Sequence, residues 1–148
     1  MVLVCGLGSG FVPFAPGTWG SLMAVAILWW GLSALSITTQ LAVIVGVFLI
    51  GTWLTHRVQV RTKAGDDGAI VVDEFVGQWM ALLGLPADPV FALSAFALFR
   101  AFDIAKPWPV GWAERRYSGA FGVMIDDVVA GFGACAVLGV TVLILGSL

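Results

Sequence analysis

The chain has 148 residues, enough for one compact unit and too few to divide into several domains. Hydrophobic residues make up 60% and charged residues 11%, with a mean hydropathy of +1.03, whereas a soluble domain is about half apolar and about a quarter charged. The composition excludes an ordinary water-soluble fold, the net charge of −2 and pI near 5.0 leave no basic footprint for nucleic acid, and two isolated cysteines, Cys5 and Cys135, make no disulfide framework.

Residues 1–55 carry no charged side chain. No basic segment opens the chain, and GLGSGFVPFAPG is too rich in Gly and Pro for a signal-peptide core, so no cleaved signal is expected and the first membrane helix acts as the targeting element. Apolar runs over 20–36 and 40–56, separated by SITT, read as a helical hairpin. After the charged stretch HRVQVRTKAGDDG come two further apolar runs, 70–85 and 89–102, joined by the turn GLPADP. Both are short against the ~20 residues of a spanning helix, so they either cross a thin span or form a re-entrant hairpin. A polar stretch from about 103 to 127 precedes the last run, 128–147. The expected fold is an all-α polytopic membrane bundle of four to five membrane helices, forming a single membrane-embedded domain over 1–148.

If all five runs cross, Arg57, Arg61 and Lys63 share one face with Arg100, Lys106, Arg115 and Arg116. The positive-inside rule makes that face cytoplasmic, together with the N-terminus. The same arrangement gathers acids. Asp73 and Glu74 begin the third helix, Asp103 ends the fourth, and Asp126 and Asp127 begin the fifth, while Asp88 lies in the opposite turn. Two like charges ~4 Å apart cost about 4 kcal/mol at an effective dielectric of ~20, so such a cluster calls for a neutralising cation. Carboxylate oxygens suit Mg²⁺ or a similar hard divalent ion, and with His56 the only histidine a zinc site is not expected.

Arg100, Asp103 and Lys106 follow at i, i+3 and i+6, along one side of a continuing helix that Pro107 ends. Metal, Arg and Lys together are equipment for a phosphate group. Gly17, Thr18, Gly20 and Ser21 at the entrance to the first helix offer hydroxyls and backbone N–H groups to an anion. Gly77 follows Asp73 by four residues, as Gly131 follows Asp127, which clears space one turn along for a ligand or a partner helix. Each feature has a plainer counterpart: first-turn acids at helix starts, an interfacial ion pair, a Gly turn, and Trp29, Trp30, Trp53, Trp108 and Trp112 as interfacial belt residues. Those readings do not explain why three acidic pieces and a cation pair reach one level.

The motifs of several other phosphate enzymes are absent: a phosphohistidine His pair, Cys–x₅–Arg, DxDxT and the CDP-alcohol phosphotransferase pattern. GSGFVPFAPGTWGS (8–21), IVVDEFVGQW (70–79), FRAFDIAKPWPV (99–110) and GVMIDDVVAG (122–131) resemble, in order and over essentially the whole chain, the phosphatidylglycerophosphatase A family. The resemblance implies a Mg²⁺-dependent phosphatase of the bacterial inner membrane, active on its cytoplasmic face, that converts phosphatidylglycerophosphate to phosphatidylglycerol. On that footing Asp73, Glu74 and Asp127 are the expected Mg²⁺ ligands, with Asp103 or Asp126 completing the shell or acting as base. Arg100 and Lys106 are expected to hold the phosphoryl oxygens, and Thr18 and Ser21 the phosphate or the glycerol. A metal-activated water and an aspartyl-phosphate both fit these residues. The rival class is a cation transporter or channel using the acids as a path, which Arg100 and Lys106 would oppose. Small residues at Gly131, Cys135 and Gly139 suit helix packing, within the chain or in a homo-oligomer.

Overall fold

A computed structural model describes residues 14–62 and 70–146; Cys5, the beginning of the Gly/Pro-rich block and Lys63 lie outside them. Every regular element among the described residues is helical: α1 (Pro16–Ile27), α2 (Ile37–Thr62), α3 (Val72–Leu82), α4 (Pro89–Ala105), α5 (Val110–Arg116) and α6 (Gly119–Gly146). A π-helical turn, Leu28–Leu32, prolongs α1.

Two helices, over Ile37–Arg61 and Gly119–Ile144, are long and apolar enough to cross a bilayer. Only 17% and 28% of their most apolar stretches are buried, where the core helix of a soluble protein would be mostly covered. Leu41, Val45, Leu49 and Trp53 on α2 and Phe132, Val140 and Leu143 on α6 face outward. Apolar surface on that scale needs lipid, so the composition and the packing agree on a membrane protein.

The 11 residues of α3 rise about 16 Å at ~1.5 Å per residue, about half the hydrocarbon thickness of a bilayer. Nine of them are buried, so α3 meets protein on every side. α1, α2, α4 and α6 pack around it, which is the condition under which a short helix is tolerated at membrane depth. Trp79 ties α3 to α1, its indole Nε1 donating to the Ala24 carbonyl at 2.8 Å.

The tightest crossing is between α3 and α6. A Cβ added to Gly131 would fall 2.1 Å from the Gly77 carbonyl oxygen and 3.0 Å from Met80 Cβ. One added to Gly77 would meet the Asp127 carbonyl oxygen at 2.8 Å and the Phe99 ring at 2.5 Å. No side chain fits between these backbones, so the repeated Asp-x₃-Gly spacing makes room for a partner helix. Asp73 and Asp127, one turn before each glycine, are thereby laid toward one another.

Three boundaries differ from expectation. α1 starts at Pro16, earlier than the apolar run from 20. The polar stretch 103–127 contains the end of α4, all of α5 and the first turns of α6. Asp126 and Asp127 therefore do not begin the last helix, whose first turn holds no acid; they sit two turns in, about 12 Å along its axis. The reason is packing that the charge pattern hides. Met124 is fully buried against Gly51 of α2, and the Phe121 ring lies edge-on to Phe48 at 5.8 Å, so apolar contacts carry α6 backward past its acids. Asp88 caps α4 at the other end of the bundle, accepting from Val90 N at 2.8 Å.

Gly131→Ala forces α3 and α6 apart and costs about 1–3 kcal/mol. In detergent the melting temperature is expected to drop by about 5 °C, whereas Gly139→Ala, with nothing within 4 Å of its added Cβ, leaves it unchanged.

Candidate active site

The start of α3, the end of α4 and the first turns of α6 meet beside the N-terminus of α1, and α5 with the turn after it closes the rim. Together they line a cleft of about 450 Å³. Asp73, Glu74, Arg100, Asp103, Lys106, Asp126 and Asp127 all face it, so every charged residue expected at the site is brought together. Ser21 stands one layer behind, its Oγ donating to Glu74 Oε2 at 3.0 Å and lying 2.9 Å from the Gly17 carbonyl. Thr18 does not line the cleft; its N–H bonds back to the Ala15 carbonyl at 3.0 Å within the first turn of α1.

Two ion-pair groups organise the walls. Arg100 donates to Glu74 Oε2 and lies 2.9 Å from Asp103 Oδ2, the i, i+3 pair expected on α4. Gly17 makes room for this group, because a Cβ there would sit 1.9 Å from Glu74 Oε1 and 3.2 Å from Arg100 Nη1. Lys106 leaves the helical path at the C-cap of α4 with φ 45°, and its Nζ reaches Glu114 Oε1 at 2.5 Å and Asp126 Oδ2 at 3.1 Å. Burial alone would lower its pKa, but the hydrogen bonds to Glu114 and Asp126 outweigh this and raise it above the usual lysine value, so the ammonium is charged throughout the physiological range. Ala15, the N-cap of α1, is the other non-glycine residue with positive φ among the described residues, at 50°. Both line the cleft, where the fold concentrates its backbone strain.

The two acid pairs have the same local form. Asp73 Oδ1 accepts from Glu74 N at 3.0 Å, and Asp126 Oδ1 accepts from Asp127 N at 3.1 Å. Asp127 is 4% exposed, and its Oδ2 has no hydrogen-bond partner in the structure. An orphaned, buried carboxylate oxygen is costly unless a cation or proton satisfies it.

Six carboxylates line the cleft against two cations, and both cations are already paired. A phosphate dianion enters such a place only with added positive charge. Hard oxygen donors and the open Asp127 Oδ2 fit a divalent cation such as Mg²⁺. Among the described residues no three His, Cys, Asp or Glu side chains are drawn into a ready-made coordination cage, because Arg100 and Lys106 hold Glu74, Asp103 and Asp126 to themselves. The fit rests on donor chemistry and the orphaned oxygen.

Glu114, Tyr117 and Ser118 also line the cleft and were not picked out by sequence. Glu114 is embedded in AERR, where the neighbouring arginines read as topology signals. Its spacing to Lys106 could have hinted at a pair, but only the turn between α4 and α5 brings the two side chains face to face.

Paired cations and hard oxygen donors in a polar cleft, cut into a bundle with lipid-facing helices, have the chemistry that a membrane lipid phosphatase needs. Residues 2–142 match the family described as phosphatidylglycerophosphatase A, and the chain belongs to that family. Over 138 residues it is 38% identical to phosphatidylglycerophosphatase A of Escherichia coli K12, covering 93% of this chain and 80% of that protein. It is 40% identical over 138 residues to the phosphatidylglycerophosphatase A of Haemophilus influenzae, covering 93% of this chain and 85% of the relative. A Bacteroides thetaiotaomicron protein provisionally described as a phosphatidylinositol-3-phosphatase is 43% identical over 135 residues, covering 85% of this chain and 82% of its own length. No solved structure matches. The chain is an enzyme, a hydrolase of phospholipid biosynthesis that dephosphorylates phosphatidylglycerophosphate. Nothing in these likenesses supports an ion path, and acids gathered in one cleft do not line a route across the bundle.

Gly17→Ala pushes the Glu74 carboxylate off Arg100. Phosphate release is expected to fall by about 10²-fold, the scale of a displacement near 1 Å, with the melting temperature nearly unchanged. Gly31→Ala, which meets open space, keeps wild-type activity.

Proposed function

We propose that this cleft is where phosphatidylglycerophosphate loses its terminal phosphate, on the cytoplasmic face of the bacterial inner membrane. The observation that carries the reading is the convergence of Arg100 and Lys106 with Asp73, Glu74, Asp103, Asp126 and Asp127 from three separate helices. Asp73, Glu74 and Asp127, with Asp103, would hold Mg²⁺. Bound there, the ion supplies the positive charge that lets a phosphate approach six carboxylates and polarises its oxygens.

The chain's own residues divide the remaining work. Arg100, kept in place by Glu74 and Asp103, presents a guanidinium to the phosphoryl oxygens, and Lys106 adds a point charge from the opposite wall. Together they stabilise the charge of a loose in-line transition state. Asp126, held by Lys106, would accept a proton from the attacking group, with Asp103 as the alternative base. Ser21 anchors Glu74 from behind and so positions Arg100. The acyl chains remain against the lipid-facing helices, and the headgroup alone enters the cleft.

A cytoplasmic site is the topology we infer, with the short α3 running through only part of the membrane depth inside the bundle. Gly51 of α2 packs against Val72 and Met124, which places the last turns of α2, with Arg57 and Arg61, at the end of the bundle that carries the cleft and α5. Gly84 meets Ile37 at the opposite end. The basic residues among those described thus share the cleft's end, as the positive-inside rule requires of a cytoplasmic face.

Purified protein in detergent is expected to release phosphate from phosphatidylglycerophosphate with Mg²⁺ and not with EDTA. Asp127→Asn, similar in size but uncharged, is expected to lose about 10²-fold or more while staying folded. An inactive wild type, or an unaffected Asp127→Asn, overturns the assignment. For sidedness, Arg61→Cys and Ala87→Cys in a chain with Cys5 and Cys135 replaced by Ala are expected to react with an impermeant maleimide from opposite sides of the membrane.

A further inference from the structure

Glu114 has no part in the reaction above, yet it makes the shorter of the two contacts to Lys106. Its Oε1 lies 2.5 Å from Lys106 Nζ, against 3.1 Å for Asp126 Oδ2. The two acids differ in setting: the Glu114 side chain, on the rim helix α5, is 48% exposed, and that of Asp126, inside the cleft, is 11% exposed. The link between α4 and α5 is built to bring Glu114 there. Lys106 adopts φ 45°, and α5 folds back so closely that a Cβ at Gly111 would stand 2.6 Å from the Lys106 carbonyl oxygen.

We propose that Glu114 is a displaceable counter-ion: in the empty enzyme its carboxylate occupies the position at Lys106 Nζ that a phosphoryl oxygen takes when the lipid headgroup binds. This rests on the reading that Lys106 holds the phosphoryl group. Asp126, more buried, keeps the ammonium aimed into the cleft, while Glu114 is free to swing into water because its own solvation replaces what it gives up. A half-exposed ion pair is weakly held against water, a small barrier to a dianionic phosphate monoester that also meets Arg100. The same carboxylate, returning to Lys106, competes with the inorganic phosphate product and helps expel it. Glu114 is in this sense a residue that sets phosphate affinity without touching the reacting atoms.

The test is Glu114→Gln, which keeps the shape and removes the charge, with Glu114→Asp as the conservative control. Glu114→Gln is expected to lower both KM for phosphatidylglycerophosphate and the inhibition constant for inorganic phosphate by roughly three- to tenfold, the range for removing one partly exposed acid beside a cation. Calorimetric binding of inorganic phosphate, which needs no turnover, is expected to tighten by the same factor. Glu114→Asp stays near wild type, and in a Lys106→Gln background Glu114→Gln has no further effect. If KM and phosphate affinity are unmoved, or KM rises while kcat falls, Glu114 is a support for Lys106 and the proposal is overturned. If the wild type does not hydrolyse the lipid at all, it is the reading of the cleft that fails first.

Discussion

The close passage of α3 over α6 is the constraint on which the rest depends. Two glycines remove every atom that could separate the helices, and the carbonyl of Gly77 comes to rest against the backbone of Gly131. Backbones this near hold Asp73, Glu74, Asp126 and Asp127 one turn away with little freedom to retreat. Such proximity is unfavourable for four carboxylates by themselves. The fold accepts it because α4 delivers Arg100 and Lys106 to the same level, where both line the same cleft as the acids.

Charge balance then explains features that look unrelated. The glycine of the first loop, the hydroxyl of Ser21 and the i, i+3 spacing on α4 all serve one group, Glu74–Arg100–Asp103. The left-handed backbone at Lys106 and the short α5 serve another, Asp126–Lys106–Glu114. Each cation bridges two acids, and Asp127 is left with an oxygen that no protein group satisfies. Without added positive charge a site so arranged is poor at holding anions, which is why the proposed function assigns it a divalent cation.

The burial of α3 belongs to the same economy. A helix of 11 residues carrying two acids would be unstable against lipid, yet here its flanks are covered by α1, α2, α4 and α6, and Trp79 secures it to α1. The long helices α2 and α6 meet the bilayer on its behalf. Division of labour between lipid-facing and site-bearing helices lets a chain with 11% charged residues keep most of its acids in one wet pocket.

Much of this was legible in the sequence, for identifiable reasons. Hydropathy declares lipid as solvent because transfer free energies sum locally, and the helices follow from runs of apolar residues bounded by Gly, Pro and charge. The acids, Arg100 and Lys106 were conspicuous because charge is expensive in such a chain. Family membership was legible from four motif blocks in order. Tertiary structure decided what local pattern cannot encode. The start of α6 at Gly119 depends on Met124 and Phe121 packing against α2, contacts between residues some 70 positions apart. The role of Gly77 and Gly131 as a crossing, and not as space for a ligand, depends on which helices are neighbours. Glu114 joins the site only through the turn that folds α5 back over Lys106. Residue type and order determined which chemistry the chain could perform; the distances at which its charges meet were set by helix packing, because ion pairs and close crossings are properties of facing surfaces.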